Sequence, residues 1–170
     1  MNPYDFAIQM SRDGERFFRT LTQEVKKPGL RKILVMLAND QVIHCRDFET
    51  MKKAEGKALP DARSLTGALN PFAQRLKRLG RGERVDENLP PAELYRRGQA
   101  LDKECEDFYR KRAARVKAPR LKQAFLRVAE EQRKHYFTLE HLINFIIEPQ
   151  QGLEDAEWNM PETLEWASPR

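Results

Sequence analysis

The sequence predicts an all-α protein, a four-helix bundle made of two repeated antiparallel helix hairpins that one long crossover connects. Of its 170 residues, 40% are hydrophobic and 34% are charged, and only 8 are glycine. This balance is typical of long solvated helices rather than of all-β folds, which need many turns. Two further observations support this fold class: apolar residues recur three and four positions apart, and the sequence contains an internal repeat. The length suits a single domain with one core.

The internal repeat relates the two halves of the chain, because residue n matches residue n + 91 over residues 7–49 and 98–140. Of 43 aligned pairs, 11 are identical, whereas average residue usage would give roughly two or three. The repeat therefore predicts two equivalent structural units. The identities include Pro28/Pro119, Gln41/Gln132 and His44/His135.

Each copy of the repeat has the pattern of two helices separated by a proline. Apolar residues fall three or four apart on both sides of Pro28, and the same pattern recurs around Pro119. Proline stops one helix and is tolerated in the first turn of the next. Two antiparallel hairpins are therefore expected, at about residues 4–53 and 91–147.

The segment between the hairpins, residues 54–90, is too long for a tight turn and has a helix-compatible middle at residues 62–79. A helix of about 24 residues spans roughly 36 Å, so a crossover of this length can run along the whole bundle. Residues 148–170 are expected to form a C-terminal tail that docks Trp158 and Trp166 on the bundle or on a partner.

Composition excludes several classes of protein. No apolar stretch approaches the roughly 18 residues that a membrane span needs, and the N-terminus lacks a basic region followed by an apolar one. Cys45 and Cys105 stand far apart, so neither a disulfide framework nor a cysteine-rich metal site is supported. Basic residues concentrate at 75–84 and 110–122, but long helices often carry solvated basic faces, and nucleic-acid binding is not expected. We expect a soluble, cytoplasmic protein.

Two histidines occupy equivalent positions of the repeat, and polar residues accompany them at one height of the bundle. Ser11 lies 17 residues before Pro28, and Gln41 and His44 lie 13 and 16 residues after it. A glutamine and a histidine three apart on a helix share a face and can point at one centre. A core histidine is more often a satisfied polar residue than a ligand, but equivalence under the repeat favours a shared site. The second copy places Asp102, Gln132 and His135 at the same offsets from Pro119.

The stretches at residues 7–18 and 37–44, with their second copies at 100–109 and 129–135, carry a family resemblance. On them the chain resembles the rubrerythrin branch of the ferritin-like superfamily. The resemblance implies a ferritin-like four-helix bundle over residues 1–147, a homodimer, and metal-dependent oxidoreductase or peroxidase activity. In that family a glutamate seven residues before the tyrosine of a Phe-Tyr pair, and a Glu-x-x-His on the next helix, occur twice and hold two iron ions.

This chain departs from that ligand pattern at the carboxylates. Two bridging irons need carboxylates to neutralise their charge, so three neutral replacements predict a degenerate di-iron site. The expected cofactor is iron or another transition metal at low occupancy, or none. The glutamate positions hold Ser11, Gln41, Asp102 and Gln132, while the two ligand histidines, His44 and His135, remain. Weaker ligand candidates are Asp40 and Glu131, each four residues before its histidine, and the thiols of Cys45 and Cys105.

Two functional hypotheses follow. The first is a metal-binding oxidoreductase that handles iron or peroxide and takes electrons from a separate protein partner. The second is a non-catalytic ferritin-like scaffold or interaction protein, in which the buried amide, hydroxyl and imidazole groups hydrogen-bond to one another without a metal. In the second case an ionised Asp102 is expected to be accompanied by a protonated histidine. The sequence assigns no catalytic residue and no organic cofactor.

Overall fold

The computed structural model describes residues 3–55, 70–86 and 88–158, with the backbone alone for residues 146–158. The described residues form five α-helices and no strand, which confirms the all-α class. Each helix begins at a proline, whose fixed φ and missing N–H suit the first turn of a helix. The helices are α1 (Pro3–Glu24), α2 (Pro28–Glu55), α3 (Pro71–Gly80), α4 (Pro91–Ala113) and α5 (Pro119–Trp158).

Helices α1 and α2 form an antiparallel hairpin around a short connection at residues 25–27. The Tyr4 hydroxyl, near the start of α1, donates to Glu55 Oε2 at the end of α2 over 2.6 Å. Further along α1, Arg12 pairs with Glu49 at 2.8 Å. Later residues of α1 therefore contact earlier residues of α2, as in an antiparallel pair. Helices α4 and α5 pack in the same antiparallel sense, as seen in the contacts Gln99–Tyr136 and Arg110–Glu130.

The described ends of the connection between the hairpins lie at opposite ends of α1. Its start, Glu55, lies beside Tyr4, whereas its end lies beside the opposite end of α1, where Lys27 Nζ donates to Leu89 O over 3.3 Å. Helix α1 has 22 residues, which at 1.5 Å per residue makes about 33 Å. Helices α1 and α4 are therefore antiparallel, and Phe6 near the start of α1 stacks on Phe108 near the end of α4.

Helix α3 lies within this connection and packs across α1. The Asn70 side chain caps its N-terminus by accepting from Ala73 N at 2.8 Å, which satisfies a backbone donor that the first turn leaves free. The ring of Phe72 is buried against Phe17 and Phe18. The helix occupies the later part of the stretch predicted at 62–79, whose residues 62–69 lie outside the described residues.

The core differs between the two ends of the bundle. At the end where α1 begins, aromatic side chains fill it: Phe48 meets Phe125 edge to face at 5.7 Å, and Tyr109 lies 5.8 Å from Phe125. At the other end, leucines and valines predominate, among them Leu21, Val25 and Leu34. The second end surrounds a cavity of about 220 Å³.

Helix α5 continues beyond residue 147, where the sequence analysis ended the second hairpin, and runs 11 residues further to Trp158. The docking of Trp166 predicted for the C-terminal tail falls outside the described residues. Among the residues described, no helix combines the length and apolar character that crossing a bilayer requires.

Candidate functional site

A polar layer lies inside the bundle, where apolar side chains would be expected. On α2 the buried residues Leu34, Leu37, Gln41, His44 and Phe48 follow helical spacing, so the glutamine and the histidine share the core-facing stripe. All members of the layer are at most 4% exposed except His135, whose side chain is 15% exposed. The layer consists of Ser11 on α1, Gln41 and His44 on α2, Asp102 on α4, and Gln132 and His135 on α5.

Both histidines pair with an acid on the opposite helix. His44 Nε2 lies 2.5 Å from Glu131 Oε2, and His135 Nε2 lies 3.1 Å from Asp40 Oδ2. These two contacts are equivalent under the repeat, since 44 + 91 = 135 and 40 + 91 = 131. In the structure each acid contacts the histidine of the other helix, so the two pairs join α2 to α5. Two reciprocal pairs hold the two halves in register.

The charge state of this cluster follows from its contacts. The hydrogen bond from His44 lowers the pKa of Glu131, although burial opposes the shift. An ionised carboxylate only accepts hydrogen bonds, so the paired Nε2 atom carries a proton. Burial lowers the pKa of His135; Asp40 opposes this shift, and the neighbouring His44 adds to it. The two histidines are thus close enough to disfavour a second positive charge.

Several buried atoms of the layer have no hydrogen-bond partner among the described residues. A buried donor or acceptor without a partner costs about 1–3 kcal/mol. Direct contacts among the described side chains therefore satisfy these groups only in part. The Ser11 hydroxyl turns back to its own helix and donates to Ala7 O over 3.1 Å, so it does not close the network. The unpartnered atoms are Gln41 Oε1, His44 Nδ1, Asp102 Oδ2, Gln132 Nε2 and His135 Nδ1.

Asp102 is separate from the histidine pairs. It makes no hydrogen bond with a described residue and lines the apolar cavity together with Phe18 and Leu101. Burial raises the pKa of its carboxyl to about 8, so the group is mostly neutral at pH 7. The sequence-based expectation paired an ionised Asp102 with a protonated histidine; no histidine contact accompanies Asp102 among the described residues, and burial favours its neutral form.

Burial disfavours the thiolate form of both cysteines. It raises the pKa of each thiol, and a metal ligand or nucleophile needs the thiolate. Cys105 is fully buried, whereas Cys45 is partly exposed and donates weakly to Glu49 Oε1 at 3.7 Å.

The layer does not fit a pair of bridging irons. No group of three or more histidine, cysteine or acidic side chains in the described part of the chain is arranged to hold a metal ion. His44 and His135 each keep a buried Nδ1 atom without a hydrogen-bond partner among the described residues, while a carboxylate lies beside the Nε2 atom. Metal-binding histidines usually donate their second N–H to such a carboxylate, which selects the tautomer that can bind.

Sequence reasoning missed two features that the structure brings together. One is the reciprocal pairing of the histidines with Asp40 and Glu131, which the equivalence of these acids under the repeat could have indicated. The other is the Tyr109 hydroxyl, which is buried near Ser11 but makes no hydrogen bond of ordinary geometry. Burial raises its pKa, so the hydroxyl stays protonated.

Comparison with models of known protein families, with curated proteins and with solved structures gives no match.

Proposed function

We propose that this chain is a ferritin-like protein related to rubrerythrins, in which a degenerate centre binds one divalent transition-metal ion through His44 and His135. The observation that carries the proposal is the pair of buried Nδ1 atoms without a partner, on histidines whose Nε2 atoms face carboxylates. Imidazole nitrogens suit zinc, copper, iron and nickel.

The carboxylates of Glu131 and Asp40 support this assignment as orienting groups. Each accepts an N–H from the histidine of the other helix, which leaves the Nδ1 lone pair for a metal. The charges of the acids also lie close enough to compensate a cation partly. They would hold the imidazoles in place and raise their basicity without being ligands themselves.

The amides of Gln41 and Gln132 are the remaining donors that we assign to the centre. They are buried and each has an atom without a partner. Amide oxygens are neutral, so they neutralise none of the charge that two bridging irons carry. We therefore expect one ion per chain, bound less tightly than in an intact di-iron centre. Any redox chemistry with iron or peroxide would take place at this single ion.

A non-catalytic scaffold or interaction protein is the second candidate function. It is favoured by the two histidine–acid pairs, which balance the charges of the layer without a metal. In that case, internal waters would satisfy the orphaned amide and imidazole atoms, as they do at many buried polar sites.

Metal binding to the purified chain separates the two candidates. Protein prepared without a chelator should contain at most one transition-metal ion per chain, and titration with Zn²⁺ or anaerobic Fe²⁺ should saturate at one. His44→Ala and His135→Ala should abolish saturable binding, and Glu131→Gln should weaken it about 10- to 100-fold. His141→Ala is the matched control, because His141 is exposed on α5 and outside the layer.

The outcomes are distinct. Two tightly held irons per chain would contradict the degenerate centre and restore a di-iron oxidoreductase. No saturable binding, with no shift in melting temperature on adding metal, would establish the scaffold instead.

We also propose that the chain forms a homodimer. Several apolar side chains on the outer surfaces of α2 and α5 are exposed, and an interface would bury them. Light scattering should give twice the chain mass, and Ile43→Lys with Phe137→Lys should give the monomer mass if this face is the interface. The exposed side chains are Met36, Ile43, Phe137 and Phe145, at 42%, 54%, 42% and 76%.

A further inference from the structure

The cavity lies at the end of the bundle where α1 ends and α4 begins. Residue differences between the two copies of the repeat account for it. Leu34 lines it, while the equivalent residue at the other end is Phe125, since 34 + 91 = 125. Leu139 also lines it, and its equivalent is Phe48. The two phenylalanines meet edge to face and fill their end of the bundle. Leucines are smaller than phenylalanines, so the same positions leave more space at the end that carries the cavity.

The size of the cavity suits a small apolar group. It measures about 220 Å³, whereas a cavity of about 150 Å³ lined by leucine, isoleucine and phenylalanine is enough to bind benzene. Most of its walls are apolar side chains, with Phe17, Leu21 and Leu37 among them.

The mouth of the cavity is basic. Four arginines line the cavity, and Glu83 is the exposed acid among its lining residues. Three of the arginines form ion pairs with acids outside the lining, whereas the exposed side chain of Arg78 has no ion pair with a described residue. An apolar interior with a cationic mouth complements an amphipathic anion. The arginines are Arg75, Arg78, Arg84 and Arg97.

The interior holds one polar group. Asp102 is 2% exposed, lines the cavity, and has an oxygen without a hydrogen-bond partner. A carboxyl oxygen without a partner can accept a hydrogen bond. An unbranched hydrocarbon chain would leave this oxygen unsatisfied, whereas a chain that ends in a hydroxyl would donate a hydrogen bond to it.

We infer that this cavity binds a medium-chain aliphatic carboxylate that carries a hydroxyl group near the end of its chain. The carboxylate lies among the arginines of the mouth, the hydrocarbon packs against the leucines and phenylalanines, and the terminal oxygen pairs with Asp102. This site is separate from the histidine pairs and does not depend on a metal.

Calorimetric titration of the full chain with 10-hydroxydecanoate, decanoate and decyltrimethylammonium tests the inference. We expect saturable 1:1 binding of both carboxylates, with 10-hydroxydecanoate about two- to tenfold tighter because of one hydrogen bond, and no saturable binding of the cation. In Asp102→Leu the preference for the hydroxylated chain should disappear. The inference is overturned if neither carboxylate saturates, if the cation binds as well as they do, or if the preference survives in Asp102→Leu.

Two variants test the position of the ligand. Leu34→Phe introduces the side chain that the other half carries at this position and should weaken binding more than tenfold by filling the cavity. Because this change could disturb folding, Arg78→Glu provides a test at the exposed mouth and should weaken carboxylate binding several-fold. Arg46→Glu, an equally exposed charge reversal away from the cavity, should leave binding unchanged. Equal losses in Arg78→Glu and Arg46→Glu, or full binding by a folded Leu34→Phe protein, would place the ligand elsewhere.

Discussion

Replacing Asp102 with asparagine should stabilise the protein at neutral and alkaline pH but not in acid. The carboxyl is 2% exposed and unpartnered, and burial raises its pKa from 3.8 to about 8. The folded protein therefore holds this proton up to about pH 8, while the unfolded chain releases it near pH 4. Between these values the unfolded state binds fewer protons, so stability falls as the pH rises.

The magnitude follows from the size of the shift. About four pKa units at 1.36 kcal/mol each set an upper limit of roughly 5–6 kcal/mol at pH 8. Local relaxation and water penetration reduce such penalties in real proteins, and we expect about 2–4 kcal/mol. Asparagine has nearly the same shape and does not titrate, so Asp102→Asn should lose this dependence.

Urea denaturation of both proteins at pH 4, 6 and 8 measures the difference. The free energy of unfolding of Asp102→Asn minus that of wild type should be near zero at pH 4 and should grow to a few kcal/mol at pH 8. Asp107→Asn is the control, because Asp107 is half-exposed on the same helix and pairs only with Lys103 at the surface; its effect should stay within about 0.5 kcal/mol. A difference for Asp102→Asn that is the same at pH 4 and pH 8 would refute the reasoning.

Two further predictions concern the polar layer and the packing beside it. Gln41→Glu with Gln132→Glu inserts two buried carboxylates and should destabilise the metal-free protein by several kcal/mol at pH 7. Anaerobic Fe²⁺ at 100 times its dissociation constant should restore about 2.7 kcal/mol, which corresponds to roughly 5–11 °C in melting temperature. A double variant that is as stable as wild type and does not respond to iron would show that these positions share no site. Gly14→Ala should destabilise the protein by about 1–2 kcal/mol in urea denaturation, because the new Cβ would lie 2.9 Å from Gln41 Oε1 in a packed interior. In the control Gly29→Ala the new Cβ would come no closer than 3.9 Å to Tyr95, so this change should stabilise the protein by up to about 1 kcal/mol. Equal effects at the two sites would contradict the close contact at Gly14.

Much of the architecture was predictable because the signals for it are local. Pro28 and Pro119 begin the second helix of each hairpin, since proline can neither donate to the previous turn nor adopt another φ. The two ends of the connection between the hairpins lie at opposite ends of α1, beside Tyr4 and Lys27 respectively. Helical spacing also placed Gln41 and Gln132 on buried faces. These inferences need only the periodicity of one helix at a time.

The partner of each buried polar group was decided by the packing of one helix against another. Asp40 and Glu131 each lie four residues before the histidine of their own helix. The relative position of α2 and α5 instead pairs each acid with the histidine of the other helix. Asp102 has the same offset from its proline as Ser11, yet it lies against an apolar cavity, where burial rather than a charged neighbour sets its protonation. The cavity itself depends on whether leucines or phenylalanines meet across the core, because the volume left between helices is a sum over side chains far apart in the sequence.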